Sequence, residues 1–409
     1  MHPSEAIRGD KSDYLSGKRI VVGITGSIAA VESVKILREL IRHGAEVFPV
    51  MSREATGIIT PDAIEFASGK EPVVDLTGQV EHVQLFGPGK GRADLLLIAP
   101  ASANTLTKIA GGISDTSVTT CACMALGSEI PVVVAPAMHS EMTRNPFVAA
   151  KLKVLEQAGV TVVPPLMEEG EAKLATPATV VAYAMHALSR GPLRGKQVMV
   201  IGGATAEPID DVRTISNGGS GRMAVELSSW AFRMGAKVTL WLGESRVPAH
   251  PYVPVQRFKT LKELEQLIDK NLAQLKGTSL LLMPAALADF TVEGRKEGKI
   301  ESEASPTLTV KLVRAKKLLP ELRTRLPPSV RIIGFKLAST RTTDELVGTG
   351  QKLLKEAKLD GVVANNPVTM GAEEATVYLL LKSGKSLKLS GDKSRVSQKL
   401  LEALGETGK

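Results

Sequence analysis

One passage occurs twice in this chain, and the repetition limits the folds open to it. Lys18-Arg19-Ile20-Val21-Val22-Gly23-Ile24-Thr25-Gly26-Ser27 opens the first half, and Lys196-Gln197-Val198-Met199-Val200-Ile201-Gly202-Gly203-Ala204-Thr205 opens the second. Each is followed by a stretch of helical period that ends in Gly-Ala and a new apolar run, at Gly44-Ala45-Glu46-Val47 and at Gly235-Ala236-Lys237-Val238. Leu95-Leu96-Leu97-Ile98-Ala99-Pro100 is answered in the same way by Leu280-Leu281-Leu282-Met283-Pro284. An apolar run that stops at small residues and gives way to a helix is how a doubly wound sheet offers backbone N–H groups to a phosphate at its strand ends. Two such passages predict an α/β chain with two nucleotide-type sites.

The length of 409 residues exceeds what one core usually covers, and 43% hydrophobic content is ordinary for globular protein. The Gly/Pro/Arg-rich heptad Ser189-Arg190-Gly191-Pro192-Leu193-Arg194-Gly195 reads as a linker, so two domains are expected, 1–191 and 192–409. Net charge is +8, but the 51 Lys and Arg are interspersed with 43 Asp and Glu, and aromatics make up only 3%. That mixture suits phosphorylated small molecules and argues against nucleic acid, whose binders set basic residues beside stacking aromatics. No segment approaches the roughly 18 apolar residues of a membrane span, and the polar start lacks a signal-peptide core, so a cytoplasmic protein is expected. The only cysteines, Cys121 and Cys123, lie in an apolar stretch and are expected to be buried, inert thiols.

Hydrophobic period predicts strands at 18–25, 46–51, 94–99, 131–135 and 160–163, with helices at 28–43, 104–110 and 179–188. In the second half strand, Gly-rich loop, helix and strand repeat through Leu242. A helix at 261–275, strands at 280–283, 308–313, 330–334 and 361–363, and a helix at 343–357 follow. The charged stretch from Asp289 to Leu308 suggests a mobile flap, and 376–389 a terminal hairpin.

Five segments sharpen the first half: Gly23 to Ala30, Pro100 to Thr105, Gly111 to Asp115, Glu81-His82-Val83, and Pro136-Ala137-Met138-His139-Ser140-Glu141-Met142. Together they resemble the homo-oligomeric flavin-containing cysteine decarboxylases. In the second half Ala206-Glu207-Pro208-Ile209-Asp210-Asp211-Val212-Arg213 and Ile215-Ser216-Asn217-Gly218-Gly219-Ser220-Gly221-Arg222-Met223, with Ala288-Asp289-Phe290 and Gly334-Phe335-Lys336, resemble the phosphopantothenate–cysteine ligases. The fusion in this order is similar to the bifunctional coenzyme A biosynthesis proteins, in a prokaryotic, archaeal-like form. The resemblance implies a flavodoxin-like N-terminal domain and a Rossmann-like C-terminal one. An NAD(P) oxidoreductase is disfavoured, because Gly202-Gly203-Ala204-Thr205-Ala206-Glu207 lacks the dinucleotide spacing and Leu240-Trp241-Leu242-Gly243 ends without an acid.

For the first half the resemblance implies FMN on Gly26, Ser27, Ser52, Ser102 and Asn104, with His82 catalytic and His139 beside the substrate carboxylate. Gly26 and Ser27 also read as an ordinary βα turn with an N-cap serine. Two positions depart from the family. His139 stands where Asn is usual, and the flap Ala-Cys-Gly is replaced by the segment from Glu168 to Ala175, leaving Lys173, Glu171 or a water as proton donor. The alternative is a non-catalytic flavin-binding oligomerisation module serving an active ligase.

For the second half the resemblance implies ligation of L-cysteine to 4'-phosphopantothenate through an acyl-cytidylate formed from CTP. Met283, Pro284, Ala285, Asp289, Lys299, Phe335, Lys355 and Lys358 are the nucleotide candidates, and Arg213, Asn217 and Arg222 the substrate candidates. Asn217 and Lys299 are expected to be catalytic. Mg²⁺ or Mn²⁺ is expected at the triphosphate, with Asp289 as a candidate ligand. The family also implies trimers through the first domain and dimers through the second.

Overall fold

The computed structural model describes residues 2–168, 171–301, 307–366 and 374–406, and the chain divides into two compact units, Met1–Ser189 and Arg190–Lys409. Glu169 and Gly170 of the expected flap segment, and Ser302 after the Lys299 motif, lie outside the described residues.

The first unit is built on β1 (Arg19–Ile24), β2 (Glu46–Met51), β3 (Leu95–Ala101), β4 (Val132–Pro136) and β5 (Thr161–Val162). They form one parallel sheet in the order β2-β1-β3-β4-β5. This is the flavodoxin-like winding, and its direction reverses between β1 and β3. Val21, Val22, Leu96 and Leu97 are fully buried, as unbroken apolar runs must be when helices cover both faces. The helix expected from Ile28 starts as a 3-10 turn, Ile28–Glu32, and becomes α-helical only over Ser33–Arg42. Ser27 makes no side-chain cap bond there. An antiparallel hairpin of β6 (Leu166–Glu168) and β7 (Glu171–Lys173) precedes helix Pro177–Leu188.

The expectation of two buried thiols is corrected. Helix Ser117–Gly127 turns about 100° per residue, so positions two apart face opposite ways; Cys121 is buried and Cys123 is exposed.

The second unit adds β8 (Gln197–Gly202), β9 (Ala206–Pro208), β10 (Thr214–Ser216), β11 (Lys237–Leu242), β12 (Val255–Arg257), β13 (Leu280–Met283), β14 (Phe290–Val292), β15 (Leu312–Arg314), β16 (Arg331–Leu337), β17 (Gly361–Asn365), β18 (Glu374–Leu381) and β19 (Ser386–Asp392). Its main sheet runs β12-β11-β8-β13-β16-β17-β18-β19, parallel as far as β17 and antiparallel through β18 and β19. The first six strands follow the Rossmann order, with the switch point between β8 and β13. The predicted helix at 261–275 breaks at Asn271 into Leu261–Lys270 and Leu272–Lys276.

Two further expectations are corrected. The C-terminal hairpin is not terminal, because helix Lys393–Glu406 follows and buries Val396, Leu400, Leu401 and Leu404. The expected flap is tied down over its described part. Ile300 N donates to Asp210 at 3.1 Å and Gly298 N to Asp211 at 2.9 Å, while β14 pairs with β15. Among the described residues no helix is long and apolar enough to cross a membrane.

Candidate active sites

In the first unit a cavity of about 850 Å³ opens at the strand ends flanking the β1/β3 switch, within the range of small-molecule sites. Gly26, Ser27 and Ser102 form one wall, Ala137 to His139 a second, and the β6–β7 hairpin with Glu171 and Lys173 a third. The turn after β1 is held closely: a Cβ on Gly26 would lie 2.5 Å from the Glu54 Cβ. Thr25 Oγ1 donates to Pro100 O at 2.8 Å and accepts from Ser102 N at 3.0 Å, which locks the two strand ends together. Ser27 Oγ donates to Ala137 O at 3.2 Å, and Ser102 Oγ accepts from Thr105 N at 3.3 Å as the N-cap of helix Ala103–Ala110. Both hydroxyls edge the cavity next to backbone N–H groups, a cradle suited to a phosphate.

The other first-unit candidates fall differently. Ser52 is buried behind β1, where its hydroxyl caps Arg53–Thr56 and its N–H donates to Ile24 O at 2.9 Å, so it does not line the cavity. Asn104, the second residue of helix Ala103–Ala110, is exposed and does not line the cavity. His82 is half-buried in helix Glu81–Phe86, away from this cavity, and its Nδ1 is enclosed with no hydrogen-bond partner among the described residues. His139 lines the cavity and is largely exposed, with Nδ1 3.9 Å from the Glu171 carboxylate. The Ser140 N–H on that carboxylate holds its pKa below the usual range. Lys173 Nζ reaches Glu168 across the hairpin at 3.0 Å. Ile28, 78% exposed, and Met142 leave the rim apolar.

In the second unit a groove lies over the β8/β13 switch. It is lined by Gly203, by Gly219 to Ala224 at the start of helix Arg222–Arg233, by Pro284 to Ala286, and by Phe335, Asn365 and Lys393. Gly202 lets that helix approach β8, since a Cβ there would lie 2.0 Å from the Ala224 Cβ. Pro284, Ala285, Phe335 and Arg222 of the sequence candidates therefore share one groove, while Met283 stays buried in β13 beneath it. Asn217 lines a separate cavity across the Gly-rich loop and donates from Nδ2 to Ala286 O at 3.0 Å and Leu287 O at 3.1 Å. Arg213 is committed to Asp210 at 2.6 Å and to Ile300 O at 3.0 Å. The Arg213 N–H, with further donors from Ile300, Val212 and the Arg213 guanidinium, holds the Asp210 carboxyl far below its usual range. Lys299 stands exposed on the tied segment, 3.9 Å from Glu301.

Lys355 and Lys358 do not line this groove: helix Thr343–Glu356 begins after β16 and runs back along the sheet, so these lysines sit near the start of β17. Asp289 is exposed and paired with Lys317. Among the described residues no cluster of three His, Cys, Asp or Glu could hold a metal, so Asp289 has no ready-made ligand set around it. Asn365 belongs to Val363-Ala364-Asn365-Asn366, a further segment of the ligase resemblance to which no role was given, whereas Lys393 escaped because the helix it opens was not expected.

Residues 8–189 match the flavoprotein family, and residues 193–407 match the DNA/pantothenate metabolism flavoprotein C-terminal domain. The chain is 41% identical over 382 residues to the coenzyme A biosynthesis bifunctional protein CoaBC of Thermococcus kodakarensis, covering 93% of each. It is 36% identical over 408 residues to the protein of that name from Methanocaldococcus jannaschii, covering 98% of this chain and 97% of the relative. A solved structure described as the FMN-dependent cysteine decarboxylase SpaF is 31% identical over 42% of this chain and 99% of its own, with a TM-score of 0.36.

Proposed function

The chain belongs to the family of bifunctional coenzyme A biosynthesis proteins, and on that premise we propose that its C-terminal unit joins L-cysteine to 4'-phosphopantothenate using CTP, after which its N-terminal unit decarboxylates the product with FMN. What carries this reading is one observation: each unit places a Gly-rich turn and a helix start at the switch point of its own parallel sheet, beside a cavity. The ligase step is attack of the pantothenate carboxylate on the α-phosphorus with loss of pyrophosphate, then attack of the cysteine amine on the acyl carbon with loss of CMP. Helix N-termini and Arg222 face the charge that the first step moves onto phosphate, and Mg²⁺ or Mn²⁺ enters with the triphosphate. For Asn217 to hold the acyl intermediate it must exchange its two carbonyl contacts for the ligand.

The cavity between Gly26, Ser27 and Ser102 fits a flavin phosphate. Bound FMN supplies the two-electron acceptor for the cysteinyl thiol and afterwards the donor that returns those electrons to the enethiol. Around it His139 orients the substrate carboxylate, His82 acts at the carboxylate that leaves as CO₂, and Lys173 gives the final proton. His82 stands away from the cavity of its own chain, and the apolar rim suits the trimeric assembly that would bring copies of the unit together. Dimers through the C-terminal unit are proposed alongside.

Incubating the full chain with phosphopantothenate, cysteine, Mg²⁺ and one nucleotide at a time tests the ligase. Pyrophosphate release with CTP is expected, and a clear preference for ATP overturns the CTP assignment. The purified protein should be yellow and release CO₂. The absence of a hairpin cysteine favours the second reading, a flavin-binding assembly module; a yellow protein that releases no CO₂ from phosphopantothenoylcysteine would establish it.

A further inference from the structure

Two helices, not one, begin at the groove of the second unit. Helix Arg222–Arg233 starts there from the Gly-rich loop. Because β18 is antiparallel to β17 and β19 antiparallel to β18, β19 again points toward the groove, and helix Lys393–Glu406 starts at the same edge. The helices pack together, with Trp230 Nε1 from the third turn of the earlier one donating to Ser394 Oγ at 2.8 Å; the earlier helix brings its positive end to the groove, and the later one brings the side chain of its first residue.

Lys393 is the first residue of the later helix. It lines the groove, is only 8% exposed, and makes no hydrogen bond or ion pair with any described residue. The nearby carboxylates have other partners: Asp392 caps the start of the later helix, accepting from Arg395 N at 2.9 Å, and Glu226 interacts with Ser394 and with the charges of Arg233 and Arg222. The charged neighbour that shares the groove is Arg222, of the same sign. Burial, and then the Arg222 charge, push the Lys393 pKa down. A largely buried lysine that opens onto the groove with no ion-pair partner among the described residues, beside a guanidinium and a helix N-terminus, costs stability until an anion arrives.

We propose that Lys393 is a phosphate-binding residue of the ligase site, holding with Arg222 and the start of helix Arg222–Arg233 an oxyanion of one of the two phosphorylated ligands, the nucleotide triphosphate or the phosphate of the acid substrate. The proposal rests on the ligase reading above and adds to it a residue on an element outside the Gly-rich motif.

The test uses the full chain carrying Lys393→Met, Lys393→Gln or Lys393→Arg. Loss of the charge should raise the KM of one phosphorylated substrate about tenfold or more, leave the KM of cysteine unchanged, and raise the Tm of the ligand-free protein. Lys393→Arg should restore most of the affinity. A rise for CTP assigns the triphosphate, and a rise for phosphopantothenate assigns the substrate phosphate. Values for both within about twofold of the unsubstituted chain overturn the proposal. So does a parallel rise in all three KM values together with a lowered Tm, the mark of a structural lysine. Calorimetric titration with inorganic tripolyphosphate and with inorganic phosphate keeps the two readings apart. If the unsubstituted chain makes no phosphopantothenoylcysteine with any nucleotide, the ligase reading falls. Weaker binding of either probe to Lys393→Met would still support the oxyanion site, and unchanged binding of both would remove it.

Discussion

His82 carries an enclosed Nδ1 that no described residue satisfies, a cost that a purely structural histidine would relieve by finding a partner. His82→Asn should therefore retain flavin and lose CO₂ release by at least about a hundredfold, the range seen for a lost acid–base group. Loss of the yellow colour in that variant would mark a folding or cofactor residue instead. Cys121 gives the converse case. Burial pushes its thiol up to about 12, so it is neutral and inert at any working pH, and Cys123 is on the solvent side of the same helix. Neither lines the N-terminal cavity, whereas Lys173 does. The double variant Cys121→Ala, Cys123→Ala should still yield fully reduced phosphopantetheine, while Lys173→Ala accumulates the oxidised enethiol, both read by mass spectrometry of the product. A folded, yellow double variant that stalls at the enethiol would make one of the thiols the donor.

Elements matter here through their ends. The turn after β1 leaves no room for a side chain, so Gly26→Val should cost about 1–3 kcal/mol and strip flavin, measured as visible absorbance per chain; a fully yellow variant would move the phosphate cradle elsewhere. The segment carrying Lys299 depends on the turn at Asp210 in the same way. Since the native carboxyl of Asp210 lies well below its ordinary value, its contribution is full above the unfolded value of about 3.9 and fades as pH falls toward the native one. Asp210→Asn should speed tryptic cleavage after Lys296 or Lys299 at pH 7, and strong acid should speed amide hydrogen exchange at Gly298 and Ile300 of the unsubstituted chain beyond the intrinsic effect of pH; equal cleavage rates would show that β14 and β15 alone hold the segment. The strands and Gly-rich turns were legible in the sequence because their period and punctuation are local. That Lys355 and Lys358 lie away from the groove was not legible, because helical period tells which residues form a helix but not which end of it meets the strand ends. Helix Lys393–Glu406 did leave a local signal, Val396, Leu400, Leu401 and Leu404 at helical spacing, which reading the hairpin as terminal obscured. Where His82 acts was not legible at all, since a single histidine carries no periodicity that would tie it to one strand-end cavity.

At the scale of the whole molecule, each unit has its own sheet, its own core and its own strand-end cavity, and the division falls between Ser189 and Arg190. The proposed order makes phosphopantothenoylcysteine the product of one cavity and the substrate of the other, so a lesion in one should leave the other's rate intact. His82→Asn should then release pyrophosphate from CTP at the unsubstituted rate while phosphopantothenoylcysteine accumulates in amount equal to the pyrophosphate. Lys299→Gln should show the opposite, slow pyrophosphate release but normal decarboxylation of supplied phosphopantothenoylcysteine. Measuring pyrophosphate, CO₂ and intermediate in one time course separates the outcomes. If His82→Asn slows pyrophosphate release in step with CO₂, the two units do not work independently, and the assignment of His82 to the second reaction alone fails.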